Sequence, residues 1–411
     1  MIRDYTSRGL GRAQYLIAGQ MGMHTAPYRD PATIRVGEVP KGVNALSDLD
    51  FMRPDNPYFY TNRALFSAGQ FIGKRDPEVP VRKGTFSRGP GKTILCDSGG
   101  LQFGRDPSKW CGDETRDWAH RFLVANADEA ITLDIPTRTV KPGSPFDSFR
   151  AALQTTVDSN AYFAKHRFGT TRFLSVLQGE NAVEALTWYE AITTQPFEGW
   201  AFGGEMRKNY PHVVGIILRL INDGLLGKER NRLHFLGKSS LTNAVMLSAL
   251  QKALSEKLGD PDFLITFDTS TPSQVSSTGQ LFGYADLSPT SFTVRAYSPP
   301  TENAHADQHT PLPMTSSRIS ERLLVSDLIE PASTRQHGWD GLGNVFAIHH
   351  NIDALLRAID DANAVMEMPS YLGMQFAPPG VIACYRALRT MFGQADPLRH
   401  VLGYRADFAK L

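Results

Sequence analysis

The chain has 411 residues, 41% hydrophobic and 21% charged, the proportions of a globular protein rather than a disordered one. By surface scaling it can bury about three-quarters of its extended surface in a large core. Its 43 basic and 42 acidic residues nearly cancel, which excludes a polycation that binds nucleic acid indiscriminately and leaves room for a local phosphate-binding groove.

Cys96, Cys111 and Cys384 are the only cysteines, too few for a disulfide framework or a four-cysteine zinc site. No run approaches 18 apolar residues, and the start has no basic-then-apolar leader. Neither a membrane span nor export is expected, and the cytoplasm is the default location.

Residues 1–92 are rich in Gly, Pro and aromatics and weakly periodic; they read as an elaborated entrance region integrated with the fold. From Thr93 a strand–helix rhythm begins. Thr93–Asp97 predicts a strand, Thr115–Ala127 a helix, Ala130–Asp134 a strand, Phe146–Lys165 a helix and Thr171–Leu177 a strand. The alternation continues with Ala182–Ile192 (helix), Gly199–Gly203 (strand), Val213–Leu226 (helix), Arg232–Leu236 (strand), Thr242–Leu258 (helix) and Phe263–Phe267 (strand). Residues 269–344, with five prolines between Pro289 and Pro313, form an irregular excursion or reduced subdomain. Val345–Ile348 then predicts a last strand, leading into a helix from Asn351, so that 345–411 holds the final barrel unit and the C-terminal segment. Repeated strand–helix units predict an α/β protein of the (β/α)8-barrel type, with 93–268 as the main catalytic segment. An open doubly wound sheet is the rival architecture.

Gly89-Pro-Gly-Lys-Thr93 invites a phosphate-loop reading, which fails on two counts. The glycine required five residues before Gly91 is Phe86, and the loop leads into a strand rather than a helix. Arg82, Lys83, Arg88 and Lys92 have no acidic residue among them. They are candidate contacts to a nucleic-acid backbone if this loop folds over the active face, and a solvated basic loop otherwise.

The carboxylates carry a sharper signal. Asp97, Asp134 and Asp268 each close an apolar strand; Gln178-Gly179 and Phe202-Gly203-Gly204-Glu205 follow two others. Singly, each Asp reads as a cap or turn residue. In a barrel all of them gather on the face where active sites are built.

Asp97-Ser-Gly-Gly-Leu-Gln102 resembles the Asp-Ser-Gly-Gly-Phe-Gln signature of the guanine transglycosylases, with Leu101 in place of Phe. Leu177-Gln-Gly179, Phe202-Gly-Gly-Glu205, His234-Phe-Leu-Gly237, Phe267-Asp268 and Ile348-His-His-Asn351 are similar to later segments of that family, in the family's order over residues 93–360. The resemblance implies exchange of guanine for a 7-deazaguanine without a cofactor. It makes Asp268 the nucleophile, Asp97 the general acid/base, and Ser98, Asp134, Gln178 and Gly204 the base-binding set. Such chemistry requires a nucleotide drawn out of its stack, for which Phe103 or Tyr284 offers replacement stacking unless each is a core residue.

The family's transfer-RNA enzymes carry a Cys-x-Cys-x-x-Cys zinc segment that supports RNA binding and dimer formation. This chain lacks it but retains His350-Asn351. His305, Asp307 and His309 are possible ligands with His350; an ordinary polar loop and a structural His350, with no metal, is the plainer expectation. The departure favours the branch that inserts a precursor such as preQ0 into DNA, with a possible accessory DNA-processing protein. Transfer RNA as substrate, a DNA glycosidase and a noncatalytic nucleic-acid-binding barrel are the alternatives.

Overall fold

The computed structural model describes residues 3–6, 11–19, 45–72, 89–204, 208–299, 311–312, 317–328 and 341–411. Eight parallel strands close into a barrel in chain order: β1 (Gln14–Ala18), β2 (Arg63–Ser67), β3 (Thr93–Asp97), β4 (Glu129–Ile131), β5 (Arg172–Leu177), β6 (Gly199–Phe202), β7 (Arg232–Phe235) and β8 (Leu264–Thr269), with β8 pairing back onto β1. Around them run α1 (Gly100–Arg105), α2 (Asp113–Asn126), α3 (Phe149–Lys165), α4 (Ala182–Ile192), α5 (Tyr210–Asn222), α6 (Leu241–Leu258) and α7 (Thr271–Ser277). An antiparallel hairpin, β9 (Leu281–Ser288) and β10 (Ser291–Tyr297), precedes the long α8 (Gly341–Glu367) and the C-terminal α9 (Pro379–Thr390) and α10 (Pro397–Leu402). The molecule is thus an elaborated (β/α)8 barrel. Among the described residues no helix is long and apolar enough to cross a membrane.

Both faces of each strand are buried, so alternation sorts residues between two apolar compartments. Leu16, Leu65, Leu95, Ile131, Leu174, Val176 and Ala201 fill the barrel interior. Their neighbours, such as Ile17, Ala64, Ile94, Cys96 and Phe173, pack outward under the helices. The same parity stacks polar residues inside, above and below this layer. At the N-terminal end Glu129 accepts from Arg232 Nε at 2.9 Å and lies 3.5 Å from Arg63. At the C-terminal end Ser67 and Asp97 stand side by side in register, and Asp268 follows Thr266 on the same face.

Two expectations change. Val345–Ile348 is not a strand: it lies inside α8, with all four side chains buried. A four-residue apolar run cannot by itself tell a strand from a buried helical turn. This turn is covered because α8 packs on α7, β9 and α6. The barrel is completed instead by β1 and β2, both within the weakly periodic 1–92 segment, and everything described beyond 341 is helical or turn. The Gly89–Lys92 turn, closed by a Lys92 N–H to Gly89 carbonyl bond, does enter a strand.

Candidate active site

The C-terminal strand ends surround a cavity of about 480 Å³. Its walls include Asp97 at the end of β3, Asp134 three residues past β4, Gln178 directly after β5 and Gly203-Gly204 after β6. Leu236 and Gly237 after β7, and Asp268 to Thr271 from β8 onward, complete the ring. The glycines after Asp97 let α1 sit close. Gly99 adopts φ +85°, and a Cβ on Gly100 would lie 1.9 Å from the Asp134 carbonyl oxygen.

Asp97 accepts a hydrogen bond from Ser67 Oγ at 2.9 Å. Burial raises its carboxyl above the usual carboxylate range; the Ser67 bond pulls it partway back and the nearby Asp268 pushes it up again. Asp134 is 5% exposed, and burial, reinforced by Asp97, pushes it up to about 7. Gln178 holds it in place. The Gln178 amide donates to Asp134 Oδ2 and to the Ile135 carbonyl, both at 3.1 Å, and its oxygen accepts from the Thr137 N–H at 3.1 Å. Both Gln178 donors are therefore committed to protein, so this side chain orients Asp134 rather than offering N–H groups to a ligand.

Asp268 is anchored through one oxygen. Oδ1 accepts from the Gly237 N–H at 3.0 Å and from His234 Nε2 at 3.2 Å, while His234 Nδ1 meets Thr266 Oγ1 at 2.9 Å. With a carboxylate on Nε2, that nitrogen carries a proton and donates to Asp268. Oδ2 makes no hydrogen bond among the described residues and is left for the cavity. His234, fully buried inside the barrel, was not anticipated as a site residue. The available signal was its place in Arg232-Leu-His-Phe235, a polar side chain of inward parity two residues before the cavity wall.

Other candidates fall elsewhere. Ser98 is fully buried and donates to the Thr132 carbonyl at 3.1 Å; it ties two strand ends together and is not part of the cavity wall. Lys92 precedes the first residue of β3, a five-residue strand whose last residue is Asp97, and so lies roughly 16 Å away at the opposite end of the barrel. That position removes Lys92 from the phosphate-binding set. Arg82, Lys83, Arg88, Glu205, His305, Asp307 and His309 lie outside the described residues. Phe103 is a core residue, buried edge-on against Trp110. Tyr284 stands on β9 under Arg357, away from the cavity. His350 donates from Nε2 to the Phe282 carbonyl (2.8 Å) and accepts from Ser317 Oγ (2.7 Å), and burial lowers it to about 4. The two ring nitrogens thus fasten the hairpin, through Phe282, and the segment at Ser317 to α8.

No protein-family model and no curated protein matches this chain. The functional reading accordingly rests on the residues of the cavity.

Proposed function

We propose that this protein exchanges guanine in DNA for a 7-deazaguanine such as preQ0 through a covalent glycosyl-enzyme intermediate. The observation that carries the reading is the convergence of three carboxyls, in three different environments, on one cavity. One is anchored with an oxygen to spare (Asp268), one is raised beside a hydroxyl (Asp97), and one is nearly enclosed and oriented by an amide (Asp134).

In the first half-reaction Asp268 Oδ2 attacks C1′ of the extruded nucleotide. The C1′–O bond forms as the C1′–N9 bond breaks, and the electron pair leaves with guanine. Asp97 supplies the proton that neutralises the departing base. In the second half the 7-deazaguanine attacks C1′, Asp268 leaves, and Asp97 takes the proton back. Two displacements retain the sugar configuration, and the scheme consumes no cofactor. A carboxyl raised by burial suits this two-way role better than an ordinary surface Asp.

Asp134 fits the donor edge of guanine, its ring N–H and exocyclic amine. The base would restore the hydrogen bonds that burial took from the carboxylate. Gly204, on the adjoining wall, is assigned the carbonyl edge. Leu101, Pro136 and Leu236 are the aliphatic side chains of an otherwise largely polar lining and offer apolar contact to the faces of a planar ring. DNA is preferred to transfer RNA because the chain has three cysteines and no Cys-x-Cys-x-x-Cys run. Ser98 has no part in this scheme.

The test offers labelled preQ0 with double-stranded DNA and, separately, with unmodified transfer RNA, an accessory DNA-processing protein being included in parallel. Label recovered as a deoxyribonucleoside, and lost in both Asp97→Ala and Asp268→Ala, is the expected result. Label in the ribonucleoside alone would move the substrate to transfer RNA. Release of guanine without uptake would make the enzyme a glycosidase, and retention of DNA with neither would make it a binding barrel.

A further inference from the structure

We infer that Arg105 and Arg138 form a phosphodiester-binding lip on this cavity, gripping the backbone of the polynucleotide whose base enters it. The nature of the ligand rests on the base-exchange reading; the lip itself rests on geometry. Arg105 ends α1 and Arg138 sits in the middle of the Thr137–Thr139 turn, and both line the cavity while remaining exposed. The two segments touch. A Cβ placed on Gly104 would lie 2.1 Å from Thr139 Oγ1, so the residues just before Arg105 and just after Arg138 are in contact. The two guanidinium groups therefore spring from neighbouring points on one edge.

That edge is rigid. Thr137 is fixed by its N–H to Gln178 Oε1 and by its hydroxyl to Glu180 at 2.6 Å, and Thr139 Oγ1 donates to the Pro136 carbonyl at 2.7 Å. Yet neither arginine has a side-chain hydrogen bond or ion pair among the described residues. The contrast with arginines elsewhere on the surface is informative. Arg116, Arg121, Arg167 and Arg219 each have a carboxylate partner, Asp113, Asp117, Glu198 and Glu190 respectively. Two like charges on adjoining supports repel, and an anion between them would relieve that repulsion. Guanidinium groups suit phosphate oxygens because their donors form a planar fork.

The cavity thus has cations at the edge and carboxyls at the floor. A ligand matched to both presents hydrogen-bond donors inward and negative charge outward, as a nucleotide within a chain does. Free phosphate or a mononucleotide shares the anionic chemistry, and the test separates them.

Binding of labelled duplex and single-stranded oligonucleotides to the full chain is measured by anisotropy from 50 to 200 mM salt. Wild type is compared with Arg105→Ala/Arg138→Ala, with Arg105→Gln/Arg138→Gln and with Arg105→Lys/Arg138→Lys. Each lost phosphate contact lowers the slope of log K against log salt by about 0.9 for duplex and 0.7 for single strand. The alanine and glutamine pairs should therefore lose about 1.8 or 1.4 units, whereas the lysine pair keeps most of its slope. Across that salt range wild type then loses roughly 12-fold more duplex affinity than the alanine pair. Deoxyguanosine monophosphate and inorganic phosphate serve as competitors and should displace oligonucleotide only weakly. An unchanged slope in both the alanine and glutamine pairs overturns the lip, as does efficient displacement by either small anion or a wild type that binds no oligonucleotide. Base exchange with unchanged slopes removes the lip alone. The expected slopes without exchange leave the lip standing and remove the exchange reading.

Discussion

Asp134 gives the most quantitative test of the site. Its carboxyl titrates near 7 in the fold against 3.8 as an ordinary side chain, chiefly because it is buried and secondly because Asp97 is close. A raised acid holds its proton more tightly folded than unfolded, so the protein binds more protons when folded. Stability is then highest below the unfolded value and is lost as pH rises through the folded one. The full difference corresponds to about 4 kcal/mol, of which roughly 2.5 kcal/mol falls between pH 5 and pH 8. Asp134→Asn keeps the shape and can still accept from Gln178, but it cannot ionise. The variant should therefore gain on wild type as pH rises, its melting temperature moving up relative to wild type by about 3 °C between pH 5 and pH 8 for a chain of this length. Matched calorimetric scans across that range check it, since titrations common to both proteins cancel in the difference. Base exchange should fall at the same time, because Asn presents only one acceptor oxygen to a ligand with adjacent donors. A stability difference that stays flat from pH 5 to pH 8 would refute the assignment of a perturbed, enclosed carboxyl.

Asp268→Asn should abolish the covalent adduct and reduce exchange by at least about a thousand-fold, with melting within a few degrees of wild type. Denaturing gel shift or intact mass after quenching reads the adduct, and an undiminished adduct would remove Asp268 as nucleophile. His234→Phe removes the donor to Asp268 Oδ1 and should lower kcat for exchange by roughly 10- to 100-fold with little change in KM for the base. His234→Gln, which keeps an N–H near the Nε2 position, should recover much of it; equal losses in the two variants would assign His234 to packing alone.

The barrel was legible from residue 93 because its strands there are apolar on both faces and run into polar residues, as Thr93–Asp97 does at Asp97 and Arg172–Leu177 at Gln178. β1 and β2 escaped because each is a short apolar run set in Gly-, Pro- and aromatic-rich sequence of weak periodicity. Val345–Ile348 misled for the converse reason, since burial around a helix erases the amphipathic stripe that would identify it. Asp97, Asp134, Gln178, Gly204 and Asp268 could be placed because strand ends in a barrel converge whatever their separation in the chain. Ser98 could not be sorted from them, since whether a hydroxyl beside a site faces the cavity or a neighbouring carbonyl depends on backbone rotation. Arg105 and Arg138 were invisible as a pair: their proximity depends on a contact between Gly104 and Thr139, thirty-five positions apart.

The same inward parity runs through both ends of the barrel, and the two ends treat buried acids differently. At the N-terminal end Glu129 meets Arg232 and Arg63, so its charge is compensated within the fold. At the C-terminal end the side chains that hydrogen-bond Asp97 and Asp134 are neutral, Ser67 and Gln178, and a further acid raises each: Asp268 pushes up Asp97, and Asp97 pushes up Asp134 against a weaker pull from Arg138. Nothing in strand pairing or packing demands that arrangement. An arginine between them, as at the other end, would fill the cavity and fix the carboxylates in the ionised form. Carboxyls buried without an ion pair are a stability cost that a structural role does not repay. Their concentration where eight strand ends meet, beneath two arginines with no ion pair or side-chain hydrogen bond among the described residues, is what an enclosed hydrogen-bond-donating base carried on a phosphate backbone would complete.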